Sequence, residues 1–319
     1  MGKKILLDLV REAIRLRHYS IHTEDVYIGW IRRFMLFHKG QRATEMGEAE
    51  FTAFLSHLAT QKNMAVSTQQ QALNALVFLY SEVLRKDLKD FSKDFWSKRP
   101  SRLPVVLTRE EVRAVIACLK GTPRLMVSLL YGAGMRPVDC LRLRVRDIDF
   151  AGRLLTMRNN SGQKVSVTIL PERLVGDMRD QLEKVRHLHG RDLESSFGAA
   201  YMPPVLSRKY PSAAHEYSWQ YVFPASKRST DPLTGAVHRN HVNERVLQKF
   251  VKTALLLADV QKPANSHTFR HSFATHLLED GYDIHTVQVL LGYESVDPAM
   301  LYSRAVNHER EIIRSPLDV

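Results

Sequence analysis

The sequence predicts a mainly α-helical protein with a small antiparallel β-hairpin, folded as two domains. Three observations carry that prediction. Apolar residues recur at three- and four-residue spacing through most of the chain, the period of an amphipathic helix. That period breaks at residues 144–170, where alternation and β-branched residues take over. The 319 residues exceed one ordinary core, and a Pro-, Ser- and Lys/Arg-rich stretch near residue 100 offers a place to divide them.

Residues 1–92 read as a helical domain. Ile5, Leu6, Leu9, Ile14 and Leu16 start one helix, and a second spans 23–38 with Val26, Trp30, Ile31, Phe34 and Phe37 on its apolar stripe. A third spans 48–60, with Phe51, Phe54, Leu55 and Leu58 inward. A fourth spans 67–84, capped by Ser67 and Thr68, with Leu73, Leu76, Val77, Leu79 and Tyr80 inward. Basic and amide residues on the opposite faces suit a cradle for a duplex backbone. Residues 93–106 read as a linker. Lys98, Arg99 and Arg102 stand among its prolines and serines, a composition suited to an extended path across phosphates.

The second domain, 107–319, opens on a capping box, Thr108 followed three residues later by Glu111. Residues 123–143 read as helix interrupted by Gly132-Ala133-Gly134, with Arg136 directly after. The hairpin follows: Leu154–Met157, a turn at Asn159-Asn160-Ser161-Gly162, and a return over 164–170. A helix is predicted over 171–189, then an irregular insert at about 190–240 that carries Tyr201, Tyr210, Tyr217, Trp219, Tyr221 and Phe223. A loop that long points to a function. Helices are predicted at 243–258, 267–278 and 284–291, and the stretch 298–306 carries Tyr302.

Composition narrows the function. Hydrophobic residues at 44% and charged residues at 25% are globular values, which excludes a disordered chain. A net charge of +12 favours a polyanionic partner, nucleic acid ahead of an anionic membrane surface. No apolar run reaches spanning length. The apolar patch after Met1 is broken by Asp8, Arg11 and Glu12, unlike a signal peptide, so a cytoplasmic protein with direct access to DNA is expected. Cys118 and Cys140 lie in apolar runs and are expected to fill core space; neither a disulfide framework nor a metal site is indicated.

The segment His267-Thr268-Phe269-Arg270-His271-Ser272-Phe273-Ala274-Thr275-His276-Leu277-Leu278 is the richest in chemistry. Phe269, Phe273, Leu277 and Leu278 recur at helical spacing, while His267 and Arg270, three apart, share a face. An imidazole beside a guanidinium suits an anion, phosphate above all. The other reading of this stretch is a solvated polar face with one buried histidine.

Four features now stand in order: Gly132-Ala133-Gly134-Met135-Arg136; a hairpin with Lys164 near its turn; His267-Thr268-Phe269-Arg270; and Leu291-Gly292-Tyr293, followed nine residues later by Tyr302. Together they resemble the tyrosine recombinase (phage-integrase-type) family, over most of the chain and strongly in the second domain. Lys209-Tyr210-Pro211 to Phe223-Pro224, Ser229-Thr230-Asp231-Pro232 and the ending Arg314-Ser315-Pro316-Leu317-Asp318 resemble its integron-integrase branch, which carries an added segment before the His-x-x-Arg helix.

The resemblance implies a two-domain DNA clamp and a definite chemistry. Tyr302 would attack a backbone phosphodiester, forming a 3′-phosphotyrosyl link and freeing a 5′-hydroxyl, with neither metal nor other cofactor needed. Arg136 and Arg270 would clamp the charge that gathers on the non-bridging oxygens, and His267 would donate a hydrogen bond or act as acid/base. His271 and His276 have no role in the motif and read as structural or backbone contacts. Three positions depart from the family pattern. Ser161 stands where the family has the turn lysine that protonates the leaving oxygen, leaving Lys164, if its long stem reaches back, as the substitute. Tyr293 stands where the family has His; it can donate a hydrogen bond but is not cationic. Asp139 replaces a glutamate that would orient Arg136. Two readings follow: an active recombinase of integron type, or a catalytically impaired remnant that binds and synapses DNA.

The integron resemblance also implies the DNA partners, a folded single-stranded cassette site and a double-stranded attachment site. Trp219, Pro232, Arg239, Asn240 and His241 would then contact DNA, with unpaired bases stacked on the aromatic insert. The alternative is that these residues only pack the insert. The family implies a homotetramer on DNA and a monomer without it, with no membrane partner. The tail 307–319, bearing Ile312, Ile313 and Leu317, would dock on a neighbouring copy or fold back on its own domain.

Overall fold

The computed structural model describes residues 3–17, 19, 21–39, 41–62, 64–86, 104–159, 162–202, 204–231, 235–293 and 313–319. Lys98, Arg99 and Arg102 of the predicted linker lie outside the described residues, as do Ser161, Pro232 and the stretch with Tyr302. The chain divides into two compact units, Met1–Arg102 and Leu103–Val319.

The first unit contains α1 (Lys3–Leu16), α2 (Ile21–Phe37), α3 (Glu48–Thr60) and α4 (Val66–Phe78), the last continuing into a π-turn at Leu79–Val83. Phe34, Phe51, Phe54, Leu55 and Leu73 fill its core, with ring centroids 5.4 Å apart between Phe34 and each of the other two phenylalanines. Tyr80, in the π-turn, is buried and donates its hydroxyl hydrogen to the Ala43 carbonyl at 2.7 Å. Phe37, predicted on the apolar stripe of α2, is exposed, whereas Ile28 and Met35 are buried. The inward stripe of α1 is Leu6, Val10 and Ile14, while Ile5, Leu9 and Leu16 are exposed. Ser67 and Thr68 do not cap α4, because the chain enters the helix earlier, at Ala65.

The second unit begins with α5 (Arg109–Ala117), whose Thr108–Glu111 capping box is present in both directions. α6 (Gly121–Gly132) and α7 (Pro137–Arg142) flank the glycine-rich break. Next comes a three-stranded antiparallel sheet in the order β1 (Ile148–Asp149), β2 (Leu154–Arg158), β3 (Lys164–Ile169). Its register shifts near the turn: Met157 pairs with Ser166 but Arg158 with Lys164, which leaves Val165 as a bulge. α10 (Glu244–Leu257), α11 (Ser266–Glu279) and α12 (Ile284–Leu290) complete the helical frame; here α8 is Val175–Glu194 and α9 is Pro204–Lys209.

The insert is more ordered than predicted. α8 runs on through Gly190 to Glu194, because buried Asp192 in its last turn is held by Arg239. α9 and a two-stranded ladder of β4 (Ser229–Thr230) and β5 (Val237–His238) structure the rest. Cys118 is exposed at the end of α5, so only Cys140 fills core space as expected. Residues 313–319 fold back on their own unit. Ser315 Oγ donates to Gly132 O at 2.6 Å, and Asp318 accepts from the Glu172 and Arg173 amides at 2.9 and 3.0 Å. Among the described residues no helix is long and apolar enough to cross a membrane.

Candidate active site

α11 is built to hold one cation inward. Asn265 caps it, accepting from the His267 amide at 2.8 Å, while Thr268 Oγ1 accepts from the Asn265 amide at 3.0 Å. Phe269, Phe273 and Leu277 are fully buried, each worth about 1.5–3 kcal/mol of transfer free energy. Leu278, predicted on the same stripe, is exposed. Arg270 is 5% exposed, its guanidinium forked between Gly134 O at 2.7 Å and Leu291 O at 2.5 Å. Gly134 can approach because it lacks a Cβ: its φ is +60°, and a methyl there would lie 2.4 Å from Phe273 Cδ1.

Arg136 enters from the other side of the glycine break, just before α7, with a side chain 43% exposed. Its Nη1 lies 3.5 Å from Asp139 Oδ2. Tyr293 joins the two arginines: its ring centroid is 5.3 Å from the Arg270 guanidinium carbon and 5.9 Å from that of Arg136. Tyr293 itself is exposed. Burial, followed by the Arg136 charge, holds the Arg270 pKa below its ordinary value, and a polar contact with Tyr293 opposes the shift. Burial raises the Asp139 pKa against the opposing charges of Arg136, Arg270 and Arg142. Two cations thus stand against one exposed phenol ring, and one of them, Arg136, pairs with a carboxylate. Such a site is completed by an anion.

His267 is exposed one turn before Arg270. The pKa of His271 is lowered by burial first, then by the charges of His267 and Arg270. His276 is structural: buried, it pairs through Nδ1 with the Tyr131 hydroxyl at 2.8 Å. Lys164 is exposed at the start of β3. Two residues on, Ser166 packs against Gly292, whose φ of +64° leaves room only for hydrogen; a Cβ would sit 2.7 Å from Ser166 Oγ. The hairpin strand therefore lies beside the residue that precedes Tyr293. Arg136, Arg270 and Tyr293 are brought together; Tyr302 lies outside the described residues.

The insert residues turn inward. Trp219 is 7% exposed, packed with Met202 and Ala213, and the Arg146 guanidinium carbon lies 4.0 Å from its ring centroid. Arg239 makes a two-pronged ion pair with Asp192 at 2.5 and 2.7 Å and donates to the Ala225 and Ser226 carbonyls. Its bond to Asp192 is the main cause of that carboxyl's lowered pKa. Asn240 accepts from the Ala225 and His241 amides. His241 meets Val242 O through Nδ1 at 2.8 Å, and burial lowers its pKa.

Sequence reasoning missed Arg144, Asp147 and Arg158. Arg144 is buried, donating to the Trp219 and Tyr201 carbonyls at 2.5 and 2.7 Å with its guanidinium carbon 4.4 Å from the Tyr221 ring centroid. The sequence signal was three arginines at every second position, Arg142, Arg144 and Arg146, in a stretch otherwise apolar.

Comparison with known proteins places the chain in a family. Residues 6–90 match the phage integrase N-terminal SAM-like domain, and residues 105–309 match the phage integrase family. An integrase/recombinase of Escherichia coli is 43% identical over 314 residues, covering 98% of this chain and 93% of that protein. The tyrosine recombinase XerA of Thermococcus kodakarensis is 28% identical, covering 92% and 88%. Among solved structures, the Tn1549 transposon integrase in complex with circular intermediate DNA superposes with a TM-score of 0.59 at 14% identity, covering 96% of each chain. The XerH site-specific recombinase bound to palindromic difH substrate gives 0.58 at 16%, covering 91% and 78%. These likenesses show a shared fold, and on the sequence matches the chain belongs to the phage integrase (tyrosine recombinase) family.

Proposed function

We propose that the protein is a site-specific DNA recombinase of integron-integrase type. It cuts and rejoins DNA through a 3′-phosphotyrosine intermediate. The observation that carries this reading is the convergence of Arg136 and Arg270 on Tyr293, with Asp139 held loosely by Arg136. A scissile phosphate relieves the repulsion of the two guanidiniums, and more so as negative charge builds in the transition state. The Tyr302 oxygen attacks phosphorus, the phenolic proton passes to His267, and the bond to the 5′-oxygen breaks as Lys164 protonates it. Tyr293 donates to a non-bridging oxygen. Removing either arginine costs about 10²–10³-fold in rate.

The substrates in this reading are a folded single-stranded cassette site and a double-stranded attachment site, bound by a homotetramer in the cytoplasm. Its DNA contacts include Lys98, Arg99 and Arg102 with Trp219, Pro232, Arg239, Asn240 and His241. For Trp219 to stack on an unpaired base, Arg146 must move off its ring, and Arg239 contributes by holding the insert in shape.

The test starts from DNA sites enriched by binding to the full chain, from random-sequence duplexes and folded single strands. A nicked suicide substrate built on such a site is incubated with the protein and run on a denaturing gel. A covalent protein–DNA band that disappears in Tyr302→Phe is the expected result. Retarded mobility on a native gel with no covalent band favours the second reading, an impaired remnant that binds without cutting. That reading draws on Tyr293 in place of His and on the 3.5 Å Arg136–Asp139 separation.

A further inference from the structure

We propose that Asp147 and Arg158 are positioning residues for strand cleavage, bracketing the turn of the β2–β3 hairpin so that Lys164 is delivered to the leaving 5′-oxygen. The proposal rests on the reading of Lys164 as the proton donor.

Asp147 lies in the turn before β1 and is 4% exposed. One carboxylate oxygen accepts from the Arg144 amide at 3.1 Å, the other from Arg158 Nε at 2.6 Å. Arg158 ends β2, and its Nη1 reaches across the turn to the Gly162 carbonyl at 3.1 Å. Gly162, at φ +81°, is a residue whose backbone few side chains would permit. Arg158 and Lys164 form the last rung of the hairpin, just beyond the Val165 bulge. The bulge interrupts the ladder there, so the ladder alone does not fix the rung that carries Lys164. Hydrogen bonds between Asn159 and Gln163, at 3.0 Å from the Asn159 amide and 2.9 Å from the Gln163 amide, close the turn itself; the chain Asp147–Arg158–Gly162 ties that turn to the body of the domain. Against apolar residues of similar size a pair this buried adds little net stability, because desolvation offsets attraction, while loss of one partner leaves the other buried and unpaired. Farther along β3, Ser166 packs on Gly292, beside the Tyr293 that overlies both arginines.

Cleavage forms the Tyr302 O–P bond and breaks P–O5′; the Lys164 ammonium gives its proton to O5′ while His267 takes the phenolic one. Replacing the bridging 5′-oxygen with sulfur removes the need for the acid, since a thiol ionises near about pH 8.5 and its anion departs unaided. The experiment uses the enriched site as a suicide substrate in both forms. Arg158→Gln and Asp147→Asn are expected to cut the oxygen substrate about 10²-fold more slowly and the sulfur substrate at the parent's rate, with unchanged native-gel affinity. Lys164→Ala shows the same pattern. Equal losses on both substrates, or no loss on either, overturn the positioning role. If the parent forms no covalent band on either substrate, the cleavage reading itself falls, and the positioning role with it.

Discussion

Arg136 and Asp139 are a loose pair. Their 3.5 Å separation exceeds the about 2.7–2.9 Å of a charge-assisted hydrogen bond. An aspartate three residues after the arginine falls short by about 0.6–0.8 Å, less than the reach that one added methylene supplies. Asp139→Glu is therefore expected to tighten the contact and raise the cleavage yield about 3- to 10-fold, the equivalent of one hydrogen bond to a charged group at partial strength. Band intensity on the suicide substrate measures it; an unchanged or lower yield shows that Arg136 is oriented by another group. Arg270 is held otherwise. Its fork rests on two backbone carbonyls, Gly134 and Leu291, 136 and 21 residues away in sequence. The motif displayed the arginine but not its partners, because those contacts form only when the chain closes on itself.

At the scale of the element, α11 joins the site to the core. It presents His267 to solvent and buries Arg270, while His276 is tied to Tyr131, whose pKa burial raises to about 12. The pKa of His276 is lowered, burial being the largest cause, and burial also lowers those of His271 and His241. The unfolded chain therefore binds protons near the ordinary histidine value of about 6.5 while the folded chain does not. Stability is full above that value and falls as pH drops through it. The melting temperature should decline between about pH 7.5 and 5.5, before carboxylates titrate, and His276→Gln should flatten part of the decline. A flat parent profile, or an equal slope in the variant, would contradict this account. The helical elements were legible because burial of one face imposes the 3.6-residue period: α3 spans the predicted 48–60, and α10 departs by one residue at each end. The end of α8 was not legible. Gly190 reads as a stop, yet the Asp192–Arg239 pair carries the helix past it.

For the molecule as a whole, the net charge of +12 sets the expected binding behaviour. Lys and Arg that neutralise phosphates release counterions, so affinity for duplex DNA should fall about 10³-fold or more between roughly 50 and 200 mM salt. Gel retardation over a salt series measures the slope. A slope near zero would remove phosphate contacts as the main source of affinity. The tail beyond residue 312 is a second feature at this scale. Ser315, Leu317 and Asp318 seat it against Gly132 and the turn before α8. From sequence it had two equal fates, since a short apolar tail fits any exposed groove of its own size.

The sequence by itself determined the helical frame, the hairpin, the family and the two arginines with their histidine. Each of these is written in local spacing or in motif residues, which need no knowledge of distant partners. Tertiary structure decided which cations stay exposed and which are turned inward. Arg136 is left half exposed, whereas Arg144 and Arg239 are turned inward onto carbonyls, aromatic rings and Asp192. It also decided the rung of Lys164, through a bulge at Val165 that no periodicity announces. The physical reason is common to both. A guanidinium's role depends on what surrounds it after burial, and those neighbours come from segments tens of residues away.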